Sequence, residues 1–397
     1  METLLMFLVA VSTLSWIGFA LLPWRPWCNQ EVLDAIERAD DNEGLGEVTV
    51  LIPARNEVEV IEQALRSVVE QGSGLKVILV DDSSEDGTVE KARQITIQNL
   101  RIIQTAPLPV GWSGKLWALE QGRQNVTTPY TLLLDADIKL APGMITAVRE
   151  KMRREDIPFI SLMAVPSMSG IWEKLLMPAF VYFFKVLYPF RWVNSHHMSA
   201  AAAAGGCILL KNRLLDQIGG FESIKSAVID DCALARQVKS EGFKIWLGLT
   251  HSVKSVRNYK HPREIWNMVA RTAFAQLHYS AGLLALCTLV MVLAYWLPVI
   301  TLFASSNALI RYLSLSSVMI MVLTYLPILR FYHRSRSWAL CLPLIAALFL
   351  GMTWTSAVRY WRGERTRWKG RAYQRQVRES LGARGQISEN GQRPSKH

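Results

Sequence analysis

The sequence predicts an α/β protein: a mixed, mainly parallel sheet flanked by helices, with transmembrane helices at both ends. Three observations carry this. Across the middle of the chain, short apolar runs alternate with patterns of helical period, as strand–helix–strand repetition requires. Acidic and small polar residues stand directly after several of those runs, where open sheets of this kind bind ligands beyond the carboxyl ends of their strands. Finally, half of the 397 residues are hydrophobic, and much of that excess is gathered into four long stretches without a charge.

Taken in order, the first uncharged stretch is 4–22. A membrane-crossing helix needs about 20 apolar residues, and residues 281–310, 312–329 and 338–358 meet the same standard. Buried helices of a soluble core are the alternative, and length argues against them. A cleaved leader is the alternative for 4–22. Met1-Glu2-Thr3 carries no basic side chain, and no small-x-small site precedes Trp24-Arg25-Pro26-Trp27, so residues 1–24 read as a retained anchor. A soluble segment over 45–275 follows, then a membrane region over 281–358 and a basic tail over 359–397, polar and disordered at its end.

Within the soluble segment the strand candidates are 48–52, 76–80, 100–104 and 131–134. Between the first two, Val60-Ile61, Ala64-Leu65 and Val68-Val69 recur at helical spacing. Residues 171–193 are apolar and aromatic but broken by Glu173, Lys174, Pro178, Lys185 and Pro189. They read as a helix lying against the bilayer, with a buried core helix as the alternative. The alanine run 200–204 leading into Gly205-Gly206-Cys207 reads as a flexible loop near the site.

Formal net charge is +11, and Arg359, Arg362, Arg365, Arg367, Lys369, Arg371 and Arg375 concentrate it after the last apolar stretch. In that position a basic run attracts anionic lipid and stays cytoplasmic; a nucleic-acid arm is the lesser reading. The five cysteines are scattered, with neither disulfide-framework nor zinc spacing. His196-His197 gives no ligand pair, and Asn125-Val126-Thr127 would lie on a cytoplasmic surface. Orientation raises a conflict. With the soluble segment cytoplasmic, three crossings after it would put the basic tail outside, against the positive-inside rule. A re-entrant segment, or more than one element inside 281–310, would resolve it.

Four groups of residues carry chemistry. Pro53-Ala54-Arg55-Asn56-Glu57 follows the first strand and Asp81-Asp82 the second, with Ser83-Ser84-Glu85-Asp86-Gly87 turning away from it. A carboxylate there can accept from a nucleobase N–H; capping the next helix is the plainer role. Leu134-Asp135-Ala136-Asp137 closes the fourth strand, and alternation sends both carboxylates to one side. Such a pair can hold a hard divalent cation against phosphate oxygens. Lys115, in Gly111-Trp112-Ser113-Gly114-Lys115-Leu116-Trp117, sits after a glycine turn at a helix start, placed for a phosphate or simply on the surface. Asp230-Asp231 opens a helical register further on, as reactive acids or as favourable charges at a helix N-terminus.

In this order and spacing the set resembles the catalytic domain of inverting family 2 glycosyltransferases of the GT-A fold. The resemblance implies a nucleotide-sugar site formed by Pro53, Ala54, Arg55, Glu57, Asp81, Asp82, Lys115, Asp135 and Arg271. It further implies Mg²⁺ or Mn²⁺ held by Asp137 with Asp135, and Asp231 as general base. Asp230 stands where the family more often has Glu. Where many members carry Gln-x-x-Arg-Trp, this chain reads Met268-Val-Ala-Arg271-Thr272: the arginine remains, and the loss of the rest implies transfer of a single sugar. The string at Lys115 is similar to ceramide-glucosyltransferase-like members. With Trp368-Lys-Gly-Arg-Ala-Tyr373 it also resembles hopene-associated glycosyltransferases of bacterial hopanoid clusters. What this implies is a multi-pass enzyme of the bacterial inner membrane, using a UDP-linked sugar and a lipid hydroxyl, with no nucleic-acid partner. A polyprenyl-phosphate acceptor and a non-catalytic membrane scaffold are the competing readings.

Overall fold

The computed structural model describes residues 2–36, 44–368 and 371–374. Lys369, Gly370 and 375–397, which hold most of the expected tail and its end, lie outside the described residues.

Eight strands form one sheet: β1 (Val48–Ala54), β2 (Lys76–Asp81), β3 (Leu100–Gln104), β4 (Tyr130–Leu134), β5 (Ile138–Leu140), β6 (Phe159–Val165), β7 (Cys207–Lys211) and β8 (Ile245–Ser255). Their order is β3-β2-β1-β4-β7-β6-β8-β5. β3, β2, β1 and β4 run parallel, in register from Thr49 opposite Lys76 to Leu51 opposite Leu133. β7 is antiparallel to both β4 and β6, and β5 is antiparallel to β8. The order reverses between β1 and β4, so the chain leaves a crevice at the carboxyl ends of those two strands.

Strand β1 is buried along its whole length because both faces are covered. Val48, Val50 and Ile52 pack on one side with Ile61 and Leu65. Leu51 packs on the other with Leu116 and Leu119 of the Gly114–Arg123 helix. That helix comes close because residue 122 is glycine. A Cβ there would stand 2.3 Å from Leu51 Cδ1 and 2.8 Å from Val80 Cγ2. The crossing fixes how far Lys115, at the helix start, reaches over the strand ends.

Among the described residues four helices are long and apolar enough to cross a membrane: Glu2–Leu21, Ala281–Ala304, Ala308–Phe331 and Arg336–Trp361. The uncharged run 281–310 is therefore divided, holding one helix and the start of the next, in line with the alternative of more than one element inside it. Ser305 is extended, and the Asn307 side chain accepts from Leu309 and Ile310 N–H to start the next helix. Inside Ala281–Ala304 a π turn over Val292–Trp296 precedes Pro298. Proline lacks the N–H that would reach the carbonyl four residues back. Trp16 Nε1 donates to that carbonyl of Ala294 at 2.8 Å, and Ser12 Oγ to Leu293 O at 2.8 Å. In an apolar phase such freed groups need a partner, and the first helix supplies it.

The Ile171–Leu187 helix buries Leu176, Met177, Val181, Tyr182 and Lys185 and packs between the sheet and the membrane helices. This is the core-helix alternative, with only its ends, such as Ile171 and Leu187, exposed. The alanine run brings a correction. Ala201, Ala202, Ala203 and Ala204 are buried, and Ala204 exchanges hydrogen bonds with Ser161 Oγ at 2.8 and 3.0 Å. Methyl side chains let this segment pack inside the core rather than move outside it. The start of the tail is ordered as well: the last helix runs to Trp361, and Glu364–Trp368 pairs antiparallel with Arg371–Gln374.

Candidate functional site

At the exit of β4, Asp135 and Asp137 both line a cavity of about 690 Å³ over the crevice, together with Pro53, Glu57, Lys115, Asp230 and Arg271. Their partners differ. Asp135 Oδ1 lies 2.9 Å from Lys115 Nζ. Asp137 Oδ2 accepts from Ser255 Oγ at 2.9 Å and from Arg257 Nε at 3.2 Å.

Lys115 is the hub. Ser113 caps its helix, accepting from Leu116 N–H, and the ammonium that projects from the first turn also lies 3.1 Å from Asp230 Oδ2. Burial pulls its proton affinity down, but Asp135 and Asp230 outweigh burial and hold it raised. The two adjacent acids diverge. Burial would push Asp230 up; the Lys115 ammonium overrides it and leaves Asp230 lowered. Asp231 is pushed up to about 6 by burial and then by the charge of Asp230. Burial also raises Asp135, Lys115 offsetting only part. Neighbouring carboxylates with opposed shifts are what acid–base chemistry at neutral pH needs.

Asp231 lines a narrow recess continuous with this cluster, beside Lys115, Asp135, Gly205 and Asp230. Its Oδ1 accepts from Cys232 N–H at 2.7 Å. Space here depends on Gly205: a Cβ there would stand 3.2 Å from Asp231 Oδ2 and 3.4 Å from Lys115 Nζ. On the far side of the 227–229 segment lies a second cavity of about 390 Å³, lined by Tyr188, Val228, Cys232, Arg236, Gln276 and His278 among others.

The loops after β1 and β2 are arranged differently from the expectation that they open into the same space. Asp81 and Asp82 are each 1% exposed and do not line the large cavity. Asp81 accepts from Ser84 N–H at 3.2 Å, and Asp82 accepts from Thr105 Oγ1 at 3.2 Å. Arg55 donates to the Asp82 carbonyl and stands 3.7 Å from its carboxylate. Asn56 N–H donates to Ser84 Oγ at 2.9 Å. Pro53 and Glu57 reach the cavity; Ala54, Arg55, Asp81 and Asp82 lock the two loops together behind it.

Arg257 joins the groups, and sequence reading passed it over. Its guanidinium bridges Glu57 Oε2 at 2.6 Å and Asp137 Oδ2 at 3.2 Å. It stands two residues past β8, a strand whose mixed apolar and polar pattern gave no clear run; a lone arginine at such an exit was the available signal. Its segment is pinned by Glu173, fully buried, which accepts from Tyr259 N–H at 2.6 Å and from Ser169 and Gly170 N–H at 2.8 Å each.

Among the described residues no three His, Cys, Asp or Glu side chains gather as a metal cluster. The donor set still fits Mg²⁺ or Mn²⁺. Magnesium is commonly held by one or two carboxylates plus substrate phosphate oxygens, and Asp135 and Asp137 are two hard oxygen donors on one cavity wall. Their present partners, Lys115 and Arg257, are cations that a phosphate would also attract.

Residues 49–219 match the family model for glycosyl transferase family 2. Over 125 residues the chain is 27% identical to a 4,4'-diaponeurosporenoate glycosyltransferase of Staphylococcus haemolyticus, covering 31% of this chain and 32% of that protein. Over 91 residues it is 33% identical to the protein of the same name from Staphylococcus aureus, covering 23% and 24%. The match thus spans about a third or less of these curated relatives. Among solved structures, a mannosyltransferase of Pyrobaculum calidifontis in complex with GDP-Man and Mn²⁺ superposes with a TM-score of 0.57 at 17% identity. It covers 91% of this chain and all of that one, which establishes a GT-A-like fold. These comparisons give the hopanoid association no support.

Proposed function

From a chain whose residues 49–219 match the family model for glycosyl transferase family 2, we propose an inverting transferase. It moves one sugar from a nucleotide-diphosphate donor, with UDP-sugars the first to test, onto a membrane lipid hydroxyl. One observation carries the reading: Lys115 sits between Asp135 and Asp230, with the raised carboxyl of Asp231 beside them. A cavity of this size suits a nucleotide sugar. The named relatives act, by their printed name, on diaponeurosporenoate, a carboxylate.

In this reading Lys115, Arg257 and Arg271 bind and orient the diphosphate, Lys115 and Arg257 already holding carboxylate partners beside it. Asp137 and Asp135 would hold a divalent cation, which when bound offsets charge growing on the leaving diphosphate. Asp231 accepts the acceptor hydroxyl proton as that oxygen bonds to the anomeric carbon. The bond to the diphosphate breaks, its electron pair leaves with the diphosphate, and the anomeric centre inverts. Ala227 and Val228 border both cavities, so the acceptor head approaches from the second one.

Arg236 and His278 in that second cavity favour one alternative, an acceptor already ionised as a phosphate or carboxylate, which needs little base catalysis. Asp231→Asn separates the two. With a hydroxyl acceptor, turnover falls about 10²–10⁴-fold while UDP affinity stays near wild type. Near-normal turnover would reject the base role and favour the acidic acceptor. Absence of any nucleotide binding to the wild-type protein would favour the scaffold reading.

A further inference from the structure

By length and apolarity Arg336–Trp361 qualifies as a membrane span, but its contacts put both of its ends on the same face of the protein. We propose that this helix does not cross the bilayer. It rests in the interfacial layer on the side of the catalytic domain, and the chain beyond it emerges on that side.

At the start, the preceding helix ends at Phe331, whose ring stacks on His251 of β8 at 4.0 Å. His251 Nε2 meets the Phe331 carbonyl at 3.0 Å, and its Nδ1 meets Asp34 Oδ2 at 3.0 Å. The turn into Arg336 therefore leaves from beside β8 of the catalytic sheet. At the other end, Arg359 Nη2 donates to Asn267 Oδ1 at 2.7 Å, Phe274 N–H donates to Ser356 Oγ at 3.1 Å, and Tyr360 stacks on Tyr279 at 4.3 Å. Ser356 and Arg359 line the large cavity itself. Midway, Phe349 lies 5.2 Å from Phe183, and Trp266 Nε1 donates to Thr355 Oγ1 at 3.1 Å. Domain elements accompany this helix along its length.

The crossing helices behave differently. Glu2 at the start of the first helix accepts from Asn307 Nδ2 at 2.8 Å, so the first helix and the turn between Ala281–Ala304 and Ala308–Phe331 share one far end. Twenty residues over Leu342–Trp361 make a rod about 30 Å long. Set upright from the domain face, it would carry one end to the level of Glu2 and Asn307. Neither end is there.

Its surface chemistry suits an anionic lipid surface. Leu342, Ile345, Ala346, Phe349, Met352 and Ser356, at helical spacing, are buried against protein. Leu340, Leu344, Trp354 and Trp361 are exposed on the other side. Tryptophan favours the headgroup boundary, and Arg336 and Arg362 flank the segment. An apolar face with basic ends is how an interfacial helix binds lipid. The arrangement also removes the orientation conflict: Arg330, Arg334, Arg336 and Arg362 all stand on the domain side, where basic residues belong if that side is cytoplasmic.

Single cysteines at Glu85, Ser306, Arg336 and Arg362 test this in sealed right-side-out and inverted vesicles. A membrane-impermeant maleimide is added, and labelled sites are located by peptide mass spectrometry, so native cysteines can stay. Expected is labelling of Arg336→Cys and Arg362→Cys from the face that labels Glu85→Cys, with Ser306→Cys labelled from the opposite face. Labelling of Arg362→Cys from the Ser306 face, or from neither, overturns the proposal. Trypsin on vesicles of the unmodified protein gives a check free of folding defects. The C-terminal residues should be lost only from the face on which the catalytic domain is cut; loss from the other face counts against the interfacial placement. A bimane on Leu344→Cys should be quenched more by a spin label near the headgroup than by one at the acyl terminus; the reverse order denies it too.

Discussion

Four side chains carry the proposed chemistry at the residue scale. Lys115 takes Asp135 and Asp230 as partners, leaving Asp231 raised to about 6. In its proposed role as base, Asp231 works only when ionised, so kcat should fall as pH drops through about 6. Because Asp230 contributes to that rise, Asp230→Asn should move the acid limb to lower pH; an unmoved limb in pH–rate profiles would assign it to another group. A stability effect follows with the opposite sense. A carboxyl raised from its ordinary 3.8 opposes folding once ionised, so stability is lost as pH rises through that interval. Asp231→Asn should therefore melt higher than wild type at pH 8 and gain little at pH 4, measured by thermal scans in detergent. These residues could be named from sequence because each directly follows a strand or opens a helix. Arg257 could not, for its importance comes from reaching back to Glu57 and Asp137, about 200 and 120 residues away.

Among elements, the segment after β8 shows how the site is held. Glu173, at the start of the Ile171–Leu187 helix, accepts backbone bonds from its own turn and from Tyr259. Hydrogen bonds to a charged group contribute about 1.5–3 kcal/mol. Glu173→Gln should cost about 2–3 kcal/mol and let Arg257 drift, raising the donor KM with kcat little changed. A fall in kcat alone would place Glu173 in another role. Strands β1 to β4 were readable as short apolar runs, paired in parallel and covered by helices on the two faces of the sheet. The antiparallel half was not. β7 follows a buried alanine run that looks like a loop, β5 has three residues, and their pairing with distant strands leaves no local pattern. The helix over 171–187 was ambiguous because its breaks, Glu173 and Lys185, are buried polar groups with partners far away in sequence.

Over the whole molecule, a formal charge of +11 and a domain set directly on its membrane helices argue that the bilayer is part of the working enzyme. Vesicles with anionic lipid should bind and activate the protein more than neutral ones, and salt should weaken the difference, since the screening length is about 10 Å at 0.1 M. Equal activity in both would detach the charge from function. Membrane segments were visible in the sequence as long uncharged runs, yet their paths were not. Length and apolarity are shared by a helix that crosses and one that lies flat, and only contacts such as Phe331 on His251 and Arg359 on Asn267 separate them. We propose that the acids and cations around Lys115 and Asp137 form one nucleotide-diphosphate site. Titration calorimetry of the intact protein with UDP, with and without Mn²⁺, tests it most directly. UDP should bind, Mn²⁺ should tighten it, and Asp137→Asn should abolish the tightening. No UDP binding under either condition, or an unchanged Mn²⁺ effect in the variant, would contradict it.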